Sequence, residues 1–443
     1  MLSSGALGEG IQLLIAVGML VSVAFYLASH FAARTFFRTA PKGNGHGRDD
    51  STLPGVTILK PLKGLDIDLY ENLSTYCQQD YPKFQIVLGV ADPHDPAISV
   101  VRWLQATYPL VKIDLVIDGR VYGTNYKISN LENMYRVADH EIIVMADSDI
   151  RVRPDYLRRI VRQLDDPQVG VVTCLYRAVN TGGLPTLIES LFINTDFAPS
   201  VLVARLVEKP SYAFGATMAL RRSTLDEIGG FRPLSNYLAD DYHLGNRVAA
   251  RGYRLALSDL VVETVLAVGT WRRLFDHQLR WARTYRNCRP GGYFSSIVTH
   301  GTLWTTLNLL YNRFSPTACV LAALVYGIRI FTASTTANRR LHAPLRFHEA
   351  LLIPFKDLFV SVTWLLSFLG DTVHWSGCTF RVLKDGQMVR ISGPARVEAE
   401  VPVYPVPEEG YASPASLWHG ETVPKVGRTP RSPAGVTRHA PDR

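Results

Sequence analysis

Between Gly10 and Ala33 the chain has no Asp, Glu, Lys or Arg; it has no Cys-x-x-Cys pair, and its basic residues nowhere form a run interleaved with aromatics. Each absence removes a class of function. Five cysteines (Cys77, Cys174, Cys288, Cys319, Cys378) are odd in number and far apart, which argues for reduced thiols in a cytosolic setting and against a structural zinc. Without a basic-aromatic stripe, the net charge of +8 speaks against nucleic acid and for an anionic membrane surface or an anionic substrate. The uncharged stretch is itself long enough to span a bilayer. Only Glu9 precedes it, while Arg34, Arg38 and Lys42 follow, so residues 1–33 read as an uncleaved transmembrane anchor. The positive-inside rule then sets the N-terminus outside and the rest on the cytoplasmic side of a cytoplasmic membrane.

With 443 residues and 47% hydrophobic content, the chain has ample material for a core. Residues 34–54 form a polar, glycine-rich linker. After it, strands are expected at Val56–Leu59, Phe84–Val90, Lys112–Ile117 and from Ile142, alternating with helices over Asp66–Gln78, Ala97–Thr107 and Lys127–Val137. That alternation predicts an α/β domain with a mostly parallel sheet over residues 55–290. Tyr212–Leu220 reads as a further strand, and Trp271–Arg286 as an amphipathic, strongly basic helix. Residues 291–375 are apolar again, but Arg329, Pro354, Lys356 and Asp357 interrupt them, which favours interfacial or re-entrant helices over a two-span hairpin. Residues 376–443 read as a tail, largely disordered after 393.

Chemistry concentrates where strands end. The run Ile142–Ala146 stops on Asp147-Ser148-Asp149, and in open α/β sheets ligands bind at the carboxyl ends of strands. Such a turn projects hard oxygen ligands suited to Mg²⁺ or Mn²⁺ shared with a diphosphate; the competing reading is a turn with two capping aspartates. Asp92 follows the second strand, with a turn residue as its plain alternative. Asp240-Asp241 open a helix, with an N-cap as theirs. A sugar-nucleotide transferase needs a group for the nucleotide, a metal for the leaving diphosphate and a base for the acceptor hydroxyl, and carboxylates serve all three roles.

Six motifs carry a resemblance: Lys60-Pro61-Leu62-Lys63-Gly64, Gln79-Asp80-Tyr81-Pro82, Asp92 with Asp95-Pro96-Ala97-Ile98, Lys127-Ile128-Ser129-Asn130-Leu131, Asp147-Ser148 with Ile150-Arg151-Val152, and Asp241-Tyr242. In order and spacing they resemble the ceramide glucosyltransferase family, and within it the bacterial hopanoid biosynthesis glycosyltransferases. The resemblance runs from about Val56 to Arg286. It implies a Rossmann-like GT-A fold and an inverting transfer of a hexose, glucose or N-acetylglucosamine, from a UDP-sugar donor to the hydroxyl of a membrane lipid such as a hopanoid polyol or ceramide. It also implies roles: Asp92 and Lys127 on the nucleotide-sugar, Asp147 on nucleotide-sugar and metal, Asp149 as a further ligand of the divalent cation, and Asp241 as general base. The family's closing motif is Gln or Arg, two residues, then Arg-Trp. Arg280-Trp281 match its end, whereas His277 stands at its first position with Gln278 one residue late, so either side chain is open for that role. Arg280 suits a diphosphate and Trp281 the sugar or acceptor. Two other readings remain at this point, a processive polysaccharide synthase-like transferase and a metal-dependent nucleotidyltransferase.

Overall fold

The computed structural model describes residues 4–39, 50–180, 182–266 and 268–393. Residues 40–49 of the linker and everything expected to be disordered after 393 lie outside the described residues. Helix α1 (Ser4–Thr39) contains the expected anchor and continues six residues past it. Leu13, Leu14, Leu20 and Phe31 are exposed along it, a surface suited to a bilayer rather than to water.

The α/β domain is built on one eight-stranded sheet of β1 (Val56–Pro61), β2 (Phe84–Val90), β3 (Lys112–Ile117), β4 (Ile142–Met145), β5 (Ile150–Arg151), β6 (Val169–Asn180), β7 (Met218–Arg221) and β8 (Arg254–Leu266). Their order is β3-β2-β1-β4-β7-β6-β8-β5. The first four run parallel, as the alternation predicts, and β7 enters antiparallel beside β4. β1 and β4 are buried along almost their whole length, and β4 accordingly reads as a continuous apolar run. Helices α2 (Leu69–Cys77), α3 (Ala97–Thr107), α4 (Tyr126–Tyr135) and α5 (Tyr156–Gln163) make the crossovers. They leave two cores, one on each face of the sheet.

The expected strand over Tyr212–Leu220 is shorter than its apolar pattern suggests, since only Met218–Arg221 pair in the sheet. The reason is local. The Gly215 N–H donates to the Asp241 carboxylate at 2.9 Å and so is not free for a ladder.

The second half adds α6 (Leu184–Phe192), a π-turn over Ile193–Phe197, α7 (Ala198–Val207), α8 (Arg222–Glu227), α9 (Asp240–Ala250) and α10 (Trp271–Cys288). These are followed by α11 (Pro290–Ser295), α12 (Gly301–Tyr311), α13 (Pro316–Arg339), α14 (Phe347–Ala350) and α15 (Ile353–Ser367). Among the described residues, four segments are long and apolar enough to cross a membrane: Ala6–Thr39, Leu184–Val207, Pro316–Arg339 and Phe347–Ser367. The charges that interrupt the last two are paired. Arg329 of α13 bonds Asp196 of the π-turn and, at 2.9 Å, Asp357 of α15, while Lys356 bonds the same two aspartates. Thr302 Oγ1 adds a hydrogen bond to Asp357 at 2.7 Å. Two cations facing two anions remove most of the cost of burying any one of them.

The tail opens with structure that its composition does not announce, a three-stranded antiparallel sheet of β9 (Thr372–Trp375), β10 (Cys378–Val382) and β11 (Met388–Ser392). Phe380, Val373, Val382 and Met388 form its core together with Leu238, two residues ahead of α9.

Candidate active site

The acids at the element ends meet around one glycine. Beneath β4, Lys60 of β1 is fully buried; its Nζ donates to the Asp147 carbonyl at 2.8 Å and lies 3.7 Å from the centre of the Tyr76 ring. Burial pulls the Lys60 pKa down to about 7, against the attraction of Asp149, Asp147 and Asp66. Above the strand, Lys127 in the first turn of α4 reaches Asp147 Oδ1 at 2.7 Å and Asp240 Oδ2 at 3.3 Å. Burial opposes its charge, but Asp147 and Asp240 outweigh burial and hold it well above the ordinary lysine value. Asn125 fixes that helix end. Its side chain caps Ile128 N at 3.1 Å and donates to Tyr237 O at 2.8 Å, joining α4 to the loop that leads into α9.

Asp241 is set by two backbone donors, Gly215 N at 2.9 Å on Oδ2 and Tyr242 N at 2.7 Å on Oδ1. Burial and the neighbouring Asp240 push its pKa up to about 6, beyond what Lys127 and the two N–H groups restore. A Cβ added at Gly215 would stand 2.9 Å from Asp147 Oδ2, 3.4 Å from Lys127 Nζ and 3.7 Å from Asp241 Oδ2. Three charged groups from three elements thus converge on a space that only glycine leaves open. Asp149 lies beside them but turns toward β8, accepting from Thr264 Oγ1 at 2.6 Å. Burial and Asp147 push its pKa up to about 6.

Asp92 stays outside this cluster. It is exposed past the end of β2, two strands from Asp147, and accepts from His94 N at 2.9 Å. Arg280 on α10 is half-buried, and among the described residues no carboxylate lies within ion-pair range of it. Burial lowers its pKa, while Glu189 and, more weakly, Asp147 act to raise it, so its guanidinium lies within the field of the acid cluster. Trp281 packs between Phe192 and His277, with ring centres 5.6 and 4.8 Å away.

His277 and Gln278 share one partner. His277 Nδ1 stands 2.8 Å from Glu189 Oε1, and Gln278 Nε2 donates to Glu189 Oε2 at 2.8 Å. Glu189, Lys60 and Gly215 were not singled out by site reasoning on the sequence. Glu189 had one signal, as the sole acid among the apolar residues of α6. Lys60 had another, at the head of the first shared motif.

Among the described residues no group of three or more His, Cys, Asp or Glu is placed to hold a metal.

Comparison with known proteins identifies the family. The profile of glycosyl transferase family 21 matches residues 14–388, from within α1 to β11. Ceramide glucosyltransferase 3 of Caenorhabditis elegans is 25% identical over 360 residues, covering 77% of this chain and 76% of its own. Ceramide glucosyltransferase 1 of the same organism is 30% identical over 276 residues, covering 62% and 58%. A solved structure, the mannosyltransferase PcManGT from Pyrobaculum calidifontis in complex with GDP-Man and Mn²⁺, aligns over 80% of this chain and 99% of its own, with a TM-score of 0.46 and 22% identity. The match over residues 14–388 takes in the sheet, the acid cluster and α10 together, and the chain belongs to glycosyl transferase family 21.

Proposed function

We propose that the protein transfers a hexose from a UDP-sugar to a hydroxyl of a membrane lipid, with inversion at the anomeric carbon. The observation that carries this reading is the convergence of Lys127, Asp147 and Asp241 on Gly215. Asp241 is the general base that takes the proton of the acceptor hydroxyl. Its two backbone donors aim the carboxylate, and its raised pKa brings its basicity nearer to neutral pH, where proton transfer in the transition state is most effective. Inversion needs one displacement and one base, so no second nucleophile is required. Lys127 and Arg280 supply fixed positive charge where the diphosphate leaves, and Asp92, at the end of β2, meets the nucleotide. Trp281 offers an apolar face to sugar or acceptor.

The residues at the end of β4 fit a divalent cation. Asp147 and Asp149 are hard oxygen donors whose mutual repulsion helps push Asp149 above its usual range, and Mg²⁺ or Mn²⁺ commonly binds through one or two carboxylates plus substrate phosphates. Bound there, the ion would neutralise charge on the diphosphate.

The lipid acceptor is supported by the apolar surface of α1 and by the further long apolar helices. Charge asymmetry about α1 supports a catalytic domain on the cytoplasmic side. A polyol or sphingoid hydroxyl at the membrane surface, hopanoid or ceramide, meets these requirements. Mass spectrometry of lipids from cells expressing the wild-type chain or Asp241→Asn, fed each acceptor class, tests the reading. A hexosylated lipid is expected with wild type alone; its appearance with both, or with neither, overturns it.

A further inference from the structure

The residue that sets α10 against the acid cluster lies on a different helix. Glu189 of α6 is completely buried, and a buried carboxylate is costly unless it is well paired. It has one directed hydrogen bond, from Gln278 Nε2, while its Oε1 accepts none although His277 Nδ1 stands 2.8 Å away. Thr186 Oγ1 and Ser190 Oγ, three residues before it and one after on the same helix, are likewise buried without a hydrogen-bond partner among the described residues. Polar atoms left unmatched inside a core are rare, and they concentrate where function has set the arrangement.

What Glu189 touches indicates that function. His277 and Gln278 lie within one turn of Arg280 and Trp281, and Glu189 is the strongest charge acting on Arg280. One carboxylate thereby fixes the rotation of α10 about its axis: Gln278 is drawn into the core, His277 to its margin, and Arg280 is left half-buried in the field of Asp147. A neutral packing residue at 189 would leave that rotation to apolar contacts, which are less directional than a carboxylate with two donors beside it.

We propose that Glu189 is a positioning residue: it seats the His277–Trp281 segment so that Arg280 faces the departing diphosphate. This rests on the transferase reading above. The test uses the full-length protein in detergent with Glu189→Gln, Arg280→Ala and the double variant. Glutamine keeps the shape but removes the charge that faces His277 and Arg280 and puts an N–H₂ at one end. Glu189→Gln is expected to lower kcat about tenfold while the donor KM changes less than about threefold and the thermal midpoint is preserved. In the double variant it is expected to add little to the loss caused by Arg280→Ala, because both act through one group. Losses that multiply, or an unchanged kcat in Glu189→Gln, overturn the proposal. Hydrogen exchange across residues 271–288 separates its failure from that of the underlying reading. If wild type transfers no hexose from any sugar nucleotide, the transferase reading fails. Exchange then decides for Glu189 alone: faster exchange confined to α10 in Glu189→Gln supports its role, and unchanged exchange refutes it.

Discussion

Gly215 is the residue on which the site turns, because its missing side chain is the space into which Asp147, Lys127 and Asp241 point. Gly215→Ala would place a methyl 2.9 Å from Asp147 Oδ2, too close for the carboxylate to stay where it is. The variant is expected to fold, with a thermal midpoint near wild type, and to lose transfer by about 10²-fold, the scale of a lost electrostatic stabiliser. Asp241→Asn keeps the shape and removes the proposed base, so UDP-sugar affinity by calorimetry is expected within about threefold of wild type while transfer falls by about 10²- to 10⁴-fold. The pH profile follows from the same group. A base must be deprotonated, and burial with Asp240 has raised the Asp241 pKa to about 6, so kcat is expected to fall as pH drops through 6 rather than through the ordinary carboxylate range near 4. An acidic limb centred near pH 4 contradicts that assignment. The pairing of Asp147 with Asp149 predicts that excess EDTA abolishes transfer and that Mn²⁺ or Mg²⁺ restores it; full turnover in EDTA would show that the pair holds no metal.

Elements differ in how openly the sequence displays them. β4 was legible because a buried parallel strand is apolar throughout and stops abruptly on charge at Asp147. α9 was legible from Asp240-Asp241 at its start and Gly252 beyond its end, and α10 from its basic amphipathic pattern. Three features were not. The pairing of Arg329 and Lys356 with Asp196 joins positions more than 130 residues apart, so the sequence showed only apolar helices spoiled by charge. The β9–β11 sheet is short, four of the five positions of β11 are exposed, and its core includes the distant Leu238. The link from Glu189 to His277 is invisible for the same reason, since local pattern carries no information about which helix a lone acid will meet. At this scale the charge network predicts that Asp196→Asn, which leaves Arg329 and Lys356 facing Asp357 alone, destabilises the protein by about 3–5 kcal/mol. Phe380→Ala, in the centre of the C-terminal sheet, is expected to cost a similar amount, about 3–5 kcal/mol, for a buried aromatic truncated to a methyl. Thermal unfolding in detergent reads both; a midpoint within about a degree of wild type would show that the contact in question contributes little.

On the scale of the whole molecule, a mostly parallel sheet carries Asp92 and Asp147 past its strand ends, and α1, α13 and the segment Phe347–Ser367 are long and apolar enough to cross a membrane. The acid cluster's neighbour α10 and the apolar helix α13 are linked through α6, the π-turn and α7, a continuous helical segment that holds Glu189 against α10 at one end and Asp196 against Arg329 and Lys356 further along. Under the proposed function, a sugar nucleotide from the aqueous side and a hydroxyl from the membrane side are the two reactants. The most direct measurement follows labelled hexose from UDP-hexose into a lipid-soluble product with purified full-length protein in mixed micelles containing ceramide or a hopanoid polyol, comparing wild type with Asp241→Asn. The account predicts label in lipid with inverted anomeric configuration for wild type, and binding of the donor without transfer for the variant. Equal transfer by the two proteins, or a product that retains the donor's configuration, contradicts it.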